Sequence, residues 1–471
     1  MPIYSFSCLD FVPIINNVFI GNGKKVVVIG GGMAGLSAAY YMSRRGAGIE
    51  LLEREKTVGG FCRSSIKNDK YILEYGPQYF YSIDTQIMKL ARELSIDSLS
   101  ESSRIDPNKR YIYDQGKFYK LPTSPFKMFT SSPLSILEKI RLAMEPFIKS
   151  KSTGMETVAD FSKRRFGSGV LENIVGPVLS ARFAGDPLCL EARAAVPELV
   201  DAELEEKSLL KKVGAFIPKI PEDGLLSFKW GMGTITARLE EEMRQKIMKG
   251  VFADAILSGG DGRYAVSINV SARELAADVV IIAVSAREAA RLLMELSPEI
   301  VTPLMEIQYA PVVVVHAAFK KKEMTRAFDG MGFVATRNSG LELMGLVNSS
   351  GCFESRVRGQ EEVMYCAIYG GAMDPGFIDK SDDEIKPVFM TDIDKALGIS
   401  AEPSFFHVRR WPEAIPQYTP GHLERIAGIK RHLKKIPGIF LAGNYFSGTS
   451  LAGVLEHSRS VVDEATFFLK S

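Results

Sequence analysis

The sequence predicts an α/β fold with a parallel sheet at its centre, and three stretches carry that expectation. Residues 24–29 (KKVVVI) form a short buried strand that runs straight into glycines and then into an Ala- and Met-rich helical stretch over 33–45. Residues 49–53 (IELLE) form a second buried strand. A βαβ unit therefore opens the chain, and such units place helices on the faces of a parallel sheet. Near the far end, residues 438–442 (GIFLA) form another buried strand that runs into Gly443 and Asn444, with a helix from about Thr449. Both ends of the sequence contribute to one core.

The first turn carries chemistry. Gly30, Gly32 and Gly35 spell G-x-G-x-x-G around Gly31, Met33 and Ala34, after a strand and at the opening of a helix. The first glycine permits the tight turn, the second lets backbone approach a pyrophosphate, and the third allows close helix packing. The helix N-terminus offers free N–H groups and a positive dipole end to phosphate. Glu53 closes the second strand 18 residues beyond Gly35, where a carboxylate accepts hydrogen bonds from an adenosine ribose. A ribose 2′-phosphate would be repelled there, which disfavours NADP. The reading is a Rossmann-type dinucleotide site rather than a purely structural turn.

The remaining elements follow in order. Residues 84–224 show helical periodicity with Pro and Ser punctuation. Within 134–148, Leu137, Ile140, Met144, Phe147 and Ile148 share one helical face and are expected to pack as core. The sharper alternative is a surface that meets a membrane, because Lys139, Arg141, Lys149 and Lys151 flank the stripe. Strands are expected at 251–257, 264–270, 279–284, 312–319 and 363–368, with a Gly-Gly-Asp-Gly turn at 259–262. At 471 residues the chain exceeds a single core. The fold class expected is α/β: a Rossmann-type dinucleotide-binding domain (1–83, 224–300 and 411–471), a helical insertion (84–223) and a mixed-sheet substrate domain (301–410).

Composition excludes several classes. Lys and Arg number 58 against 56 acidic residues, so bulk charge gives no nucleic-acid footprint. Five scattered cysteines without a C-x-x-C pair read as reduced thiols, and neither a disulfide framework nor a metal site follows. No run approaches the ~20 apolar residues of a membrane span. Residues 11–20 are apolar but lack a basic flank before Lys24, and an extra strand, a disordered tail and an early start codon all remain open. The expected location is the cytoplasm, with peripheral contact at the inner face of the membrane as the alternative.

A second group of motifs carries a resemblance. Residues 54–63 (REKTVGGFCR) place Arg54, Gly59, Gly60 and Phe61 beyond the second strand, and residues 74–79 (EYGPQY) hold Gly76, Pro77, Gln78 and Tyr79. Residues 441–450 (LAGNYFSGTS) lie on a strand-to-helix junction with Asn444, Thr449 and Ser450, followed by Leu451. These segments resemble the extended fingerprint of the flavin amine oxidase superfamily. Residues 109–125 (KRYIYDQGKFYKLPTSP), 184–187 (AGDP) and above all 411–426 (WPEAIPQYTPGHLERI) are similar to the oxygen-dependent protoporphyrinogen oxidases within it. The resemblance covers nearly the whole chain from Lys25.

It implies noncovalent FAD, since no cysteine lies in the stretch after Gly443. It implies oxidation of protoporphyrinogen IX to protoporphyrin IX in haem biosynthesis, a six-electron reaction with O2 as acceptor and H2O2 as product. The flavin carries the chemistry, so no side chain is assigned a catalytic role. By the same resemblance Arg110 faces a substrate propionate, Met331, Val334 and Ile368 sandwich the tetrapyrrole, and Ala181 lies along it. Besides the motif residues, Ala253 and Trp411 join the cofactor site. A homodimer is left open. The chain departs from the family at Ala181, where a glycine is usual, with Arg182 following. It departs again at Leu-Ala-Gly-Val after Ser450, where an Asn-Asp or Pro-Asp pair is usual. Coproporphyrinogen III, another flavin amine oxidase or desaturase reaction, and a catalytically silent tetrapyrrole-binding flavoprotein are the competing readings.

Overall fold

The β-branched run Lys25–Ile29 has four consecutive buried residues, as a strand covered on both faces requires. In the computed structural model it sits at the centre of a five-stranded sheet. The order is Ile247–Lys249, Gly48–Glu53, Lys25–Ile29, Val279–Ile282, Ile439–Leu441, and every pairing is parallel. The structure describes all residues except 1–18, 21–22, 131–132, 149–154, 206–207, 213–215, 260–261, 271–273 and 325–327. Most of the N-terminal stretch, Lys149, Lys151 and the middle of the 259–262 turn thus lie outside the described residues.

One face of this sheet is covered by the helix Met33–Arg44 and the C-terminal helix Leu451–Lys470, which pack on each other in one core. Ser458 donates to the Ala34 carbonyl at 3.3 Å, and Arg45 donates to the Val462 carbonyl and Thr466. The other face carries a three-stranded antiparallel sheet and the helices Ala286–Leu293, Pro298–Met305 and His422–Leu433. The two ends of the chain meet because each supplies an apolar helix face that the other buries.

A second sheet has seven strands, in the order Phe405–Pro416, Tyr309–Lys320, Glu362–Gly370, Gly345–Val347, Gly332–Ala335, Arg110–Asp114, Lys117–Lys120. It is mixed: Gly332–Ala335 pairs parallel with Arg110–Asp114, and the other pairings are antiparallel. The hairpin 110–120, from the stretch read as helical, therefore belongs to this sheet. One face packs on the helix Asp382–Leu397. The opposite face turns to the site and to the helical segment.

The apolar stripe of the helical segment does not behave as core. The helix is short, Ile136–Ala143, and buries Leu142, while Leu137 (79%), Ile140 (54%), Met144 (55%) and Phe147 (80%) are exposed. The helix is docked instead from its other side. Glu145 is buried and pairs with Arg165, and Arg141 donates to the carbonyls of Arg164 and Arg165. Docking by that ion pair and by Leu142 leaves the stripe facing outward.

Candidate functional site

The glycine loop is closed around its own backbone. Gly30 has φ +106, and a Cβ there would meet the Ala283 carbonyl at 2.4 Å; one at Gly35 would lie 1.8 Å from the Gly30 carbonyl oxygen. Only glycine fits both contacts. Gly32 caps the helix Met33–Arg44 with no side-chain hydrogen bond, and a Cβ at Gly32 would meet nothing within 4 Å. The helix N-terminus thus opens onto free space, with Met33 and Ala34 forming its buried first turn.

Gly59 lies beside Gly32 and donates to the Gly31 carbonyl at 2.8 Å. Gly60 follows, so close that a Cβ on it would be 3.2 Å from the Gly32 Cα. The second glycine pair is thereby folded onto the first loop. Glu53 accepts from the Gly31 N–H at 2.8 Å and the Glu55 N–H at 2.7 Å, one on each carboxylate oxygen. Burial raises its pKa, and those two backbone bonds oppose the shift. Each oxygen retains acceptor capacity for a ribose hydroxyl. An uncapped helix end in open space, a double glycine cradle and a buried carboxylate at the strand end are the features FAD requires, and the residues fit it.

The other expected cofactor residues are placed as follows. Arg54 pairs with Glu288 at 2.7 Å and stacks over Phe252. Ala253 is buried at the start of a strand, two residues past Val251, whose N–H donates to the Glu53 carbonyl. Phe61 stands edge-on to Trp411 at 4.8 Å, and the Trp411 Nε1–H donates to the Tyr75 carbonyl at 2.7 Å. Gly76 packs on the Phe61 carbonyl so tightly that a Cβ would come within 2.5 Å. Next to it come Pro77, then Gln78, whose Nε2 donates to Cys366 Sγ at 3.4 Å. Asn444 opens a short helix, the Thr449 hydroxyl donates to the Arg182 carbonyl at 3.0 Å, and Ser450 caps the C-terminal helix that begins at Leu451.

Glu74, in the same segment, is fully buried and saturated. Its oxygens accept from Ser64 (2.6 Å) and the Met232 N–H (2.8 Å) and pair with Arg356 (3.0 Å). The His316 Nε2–H donates to the Glu74 carbonyl at 2.8 Å. Arg356 and His316 lie far away in sequence, in stretches with no motif, so no local signal marks them.

On the site face of the large sheet, the register aligns Ile112, Val334, Gly345, Ile368 and Val314 in one transverse row. Paired residues across strands point to one face, so Val334 and Ile368 stand together about 10 Å apart across the glycine. Met331 is buried against Leu225, Cys352 and Phe353, with Tyr79 beside it. Arg110 lies opposite Gly332, and its guanidinium donates to the Pro218 carbonyl at 2.6 Å. Arg110 Nε is buried and has no hydrogen-bond partner among the described residues. Burial pushes the Tyr79 phenol pKa well up, and the Arg110 charge works against that shift. Ala181 and Arg182 are exposed at the end of the helix Gly176–Phe183, and Arg182 pairs with Glu198 at 3.6 Å.

The family model of flavin containing amine oxidoreductases matches residues 33–466. The chain belongs to this family: it is an FAD-dependent oxidase. Among its relatives are the coproporphyrinogen III oxidase of Bacillus subtilis, 26% identical over 96% of this chain and 100% of that one, and protoporphyrinogen oxidase 2 of Arabidopsis thaliana, 27% identical over 96% and 95%. A crystal structure of an Exiguobacterium sp. 255-15 protein, assigned there as a protoporphyrinogen oxidase, superposes with a TM-score of 0.81 at 22% identity, covering 95% of this chain and all of that one. The cyclohexylamine oxidase of Brevibacterium oxydans gives 0.72 at 15% identity, covering 95% and 100%. These likenesses show the fold. No helix among the described residues is long and apolar enough to cross a membrane.

Proposed function

We propose that the chain oxidises protoporphyrinogen IX to protoporphyrin IX in haem biosynthesis, with O2 as acceptor and H2O2 as product. The observation that carries this reading is Arg110, a guanidinium whose buried Nε has no partner among the described residues, at the edge of an apolar sheet face. A buried donor without a partner costs about 1–3 kcal/mol, a deficit that a substrate carboxylate removes. A planar guanidinium also grips a carboxylate bidentately. Val334 and Ile368 supply half-buried apolar surface for a flat macrocycle beside it, whereas Met331 is packed in a separate cluster with Tyr79 and the 352–353 segment. FAD held by the glycine cradle and Glu53 supplies a two-electron acceptor. The chain's own residues bind and orient the substrate and keep water from the reacting carbon. The second reading is coproporphyrinogen III, favoured by the likeness to the Bacillus subtilis enzyme over 96% of this chain and all of that one.

Anaerobic mixing of the oxidised holoenzyme with each porphyrinogen tests both. The preferred substrate should bleach the yellow flavin rapidly, and air should restore it. Bleaching by neither would end both readings and leave an oxidase of other substrates.

We also propose that the outward stripe of the helical segment rests on an anionic membrane surface. Leu137, Ile140, Met144 and Phe147 are exposed, as is Phe126 on the preceding helix, and the same two helices carry the half-exposed Lys127 and Lys139. An apolar face with a basic margin binds lipid interfaces by buried area and charge together. Leu137→Glu should abolish co-sedimentation with anionic vesicles, and equal sedimentation of the variant would refute the assignment.

A further inference from the structure

The motif I-P-Q-Y-T-P-G-H is the strongest sequence signal in the chain; its Ile415 joins the apolar cluster of Val314 and Ile368, while its polar side chains make their contacts elsewhere. Its geometry shows another use. Tyr418 is buried, and its phenol donates to the Asn444 carbonyl and accepts from the Gly448 N–H at 2.9 Å. His422 stacks on the Tyr418 ring at 4.1 Å, and its Nε2–H donates to the Tyr445 carbonyl at 3.0 Å. Three backbone groups of the turn that leads into the C-terminal helix are thus held by two side chains of one motif.

The same motif grips the helical segment on its other side. The Gln417 Nε2–H donates to the Phe183 carbonyl at 2.9 Å, and the Glu191 N–H donates to the Tyr418 carbonyl at 2.7 Å. The Glu191 carboxylate in turn accepts the His422 N–H at 2.9 Å. Between those contacts Ala184 has φ +46, a left-handed conformation that a non-glycine residue keeps only when its surroundings over-determine it. Thr449 closes the circuit through its bond to the Arg182 carbonyl.

We propose that Tyr418 is a positioning residue for the FAD site. It fixes the turn 443–450 against the loop 183–191, so that Asn444, Thr449 and Ser450 are presented to FAD in one geometry. The phenol stays protonated, because burial drives its pKa far above neutrality, and the one hydroxyl serves both backbone partners. The assignment rests on reading the turn as part of the FAD site and does not depend on the substrate.

Tyr418→Phe keeps the ring, its volume and the His422 stack, and removes only the hydroxyl. Diluting the holoenzyme and following flavin fluorescence should show FAD release on the order of tenfold faster than in the wild type. The visible flavin bands should shift, while the melting temperature of the protein moves little. A merely structural tyrosine would lower the melting temperature and leave the bands of bound FAD in place. Thr449→Val removes the exposed end of the same circuit and should give a smaller change of the same kind; if Tyr418→Phe does not yield folded protein, this variant decides. Wild-type release and an unchanged spectrum in the folded variants would overturn the proposal. A wild-type protein that holds no FAD at all would instead overturn the cofactor reading.

Discussion

Beside the glycine cradle, the buried Glu74 carboxylate is already served by the protein: one oxygen accepts from Ser64, and the other from the Met232 N–H and Arg356. On the site face of the seven-stranded sheet, Arg110 keeps a buried Nε without a partner among the described residues, next to a glycine and two half-buried aliphatic residues. The contrast separates two meanings of a polar residue near a site. A saturated group holds the scaffold, and its loss should appear as lost stability. An unsaturated one awaits a ligand, and its loss should appear as lost affinity.

The largest test lies on the saturated side. Arg356→Met leaves the buried Glu74 carboxylate without its charge partner, which should cost about 3–5 kcal/mol of stability in a denaturant titration. Adding Glu74→Gln to Arg356→Met should recover part of that loss, since no unpaired charge remains buried. A single variant as stable as the wild type would mean that Ser64 and the Met232 N–H suffice to hold Glu74.

A crossed pair of variants sharpens the contrast at intermediate size. Arg110→Ala should raise KM about ten- to a hundredfold with little change in kcat and full FAD content, because a distant carboxylate is bound equally in ground and transition states. Arg110→Lys should recover only part, since an ammonium lacks the planar fork. Glu53→Ala should do the reverse, weakening FAD by about 1.5–3 kcal/mol with KM unchanged in FAD-saturated protein. If Arg110→Ala alters FAD retention instead, the division of roles is wrong.

The smallest effect concerns acid. Burial lowers the pKa of His316 and of His422 to about 4 from an ordinary 6.5, and Nδ1 of each has no hydrogen-bond partner among the described residues. As pH falls through about 6.5 the unfolded chain takes up protons that the folded chain refuses until about 4. Stability from these two groups is therefore full above that window and declines within it. At one pH unit below 6.5 each should have cost about 1.4 kcal/mol. Replacing His422 with Gln should flatten the profile between those limits, and an unchanged slope would assign the acid sensitivity elsewhere.

How far the chain was legible follows from the range of each interaction. The Gly30–Gly35 loop, Glu53 and the buried strands are local: a tight turn, a helix start and a β-branched run are written in consecutive residues, so the Rossmann core could be read directly. The resemblance extended that reading to the FAD segments and to Arg110. The apolar stripe at 137–147 misled, because helical periodicity reports that a face is apolar and not what covers it. Only the placement of Glu145 against Arg165 decided that Leu137 and Phe147 turn outward.

The sequence by itself determined the dinucleotide site and the parallel core, since each depends on spacing along the chain, and the family resemblance narrowed the dinucleotide to FAD. The tertiary structure alone decided that Arg356 neutralises Glu74, that Val334 and Ile368 share a face across Gly345, and that Tyr418 ties the turn 443–450 to the helical segment. These are pairings between residues far apart in the chain, each fixed by strand register or loop docking. The physical reason is that a side chain's type is encoded locally, whereas whether its hydrogen bonds are already satisfied depends on which distant backbone the fold brings against it.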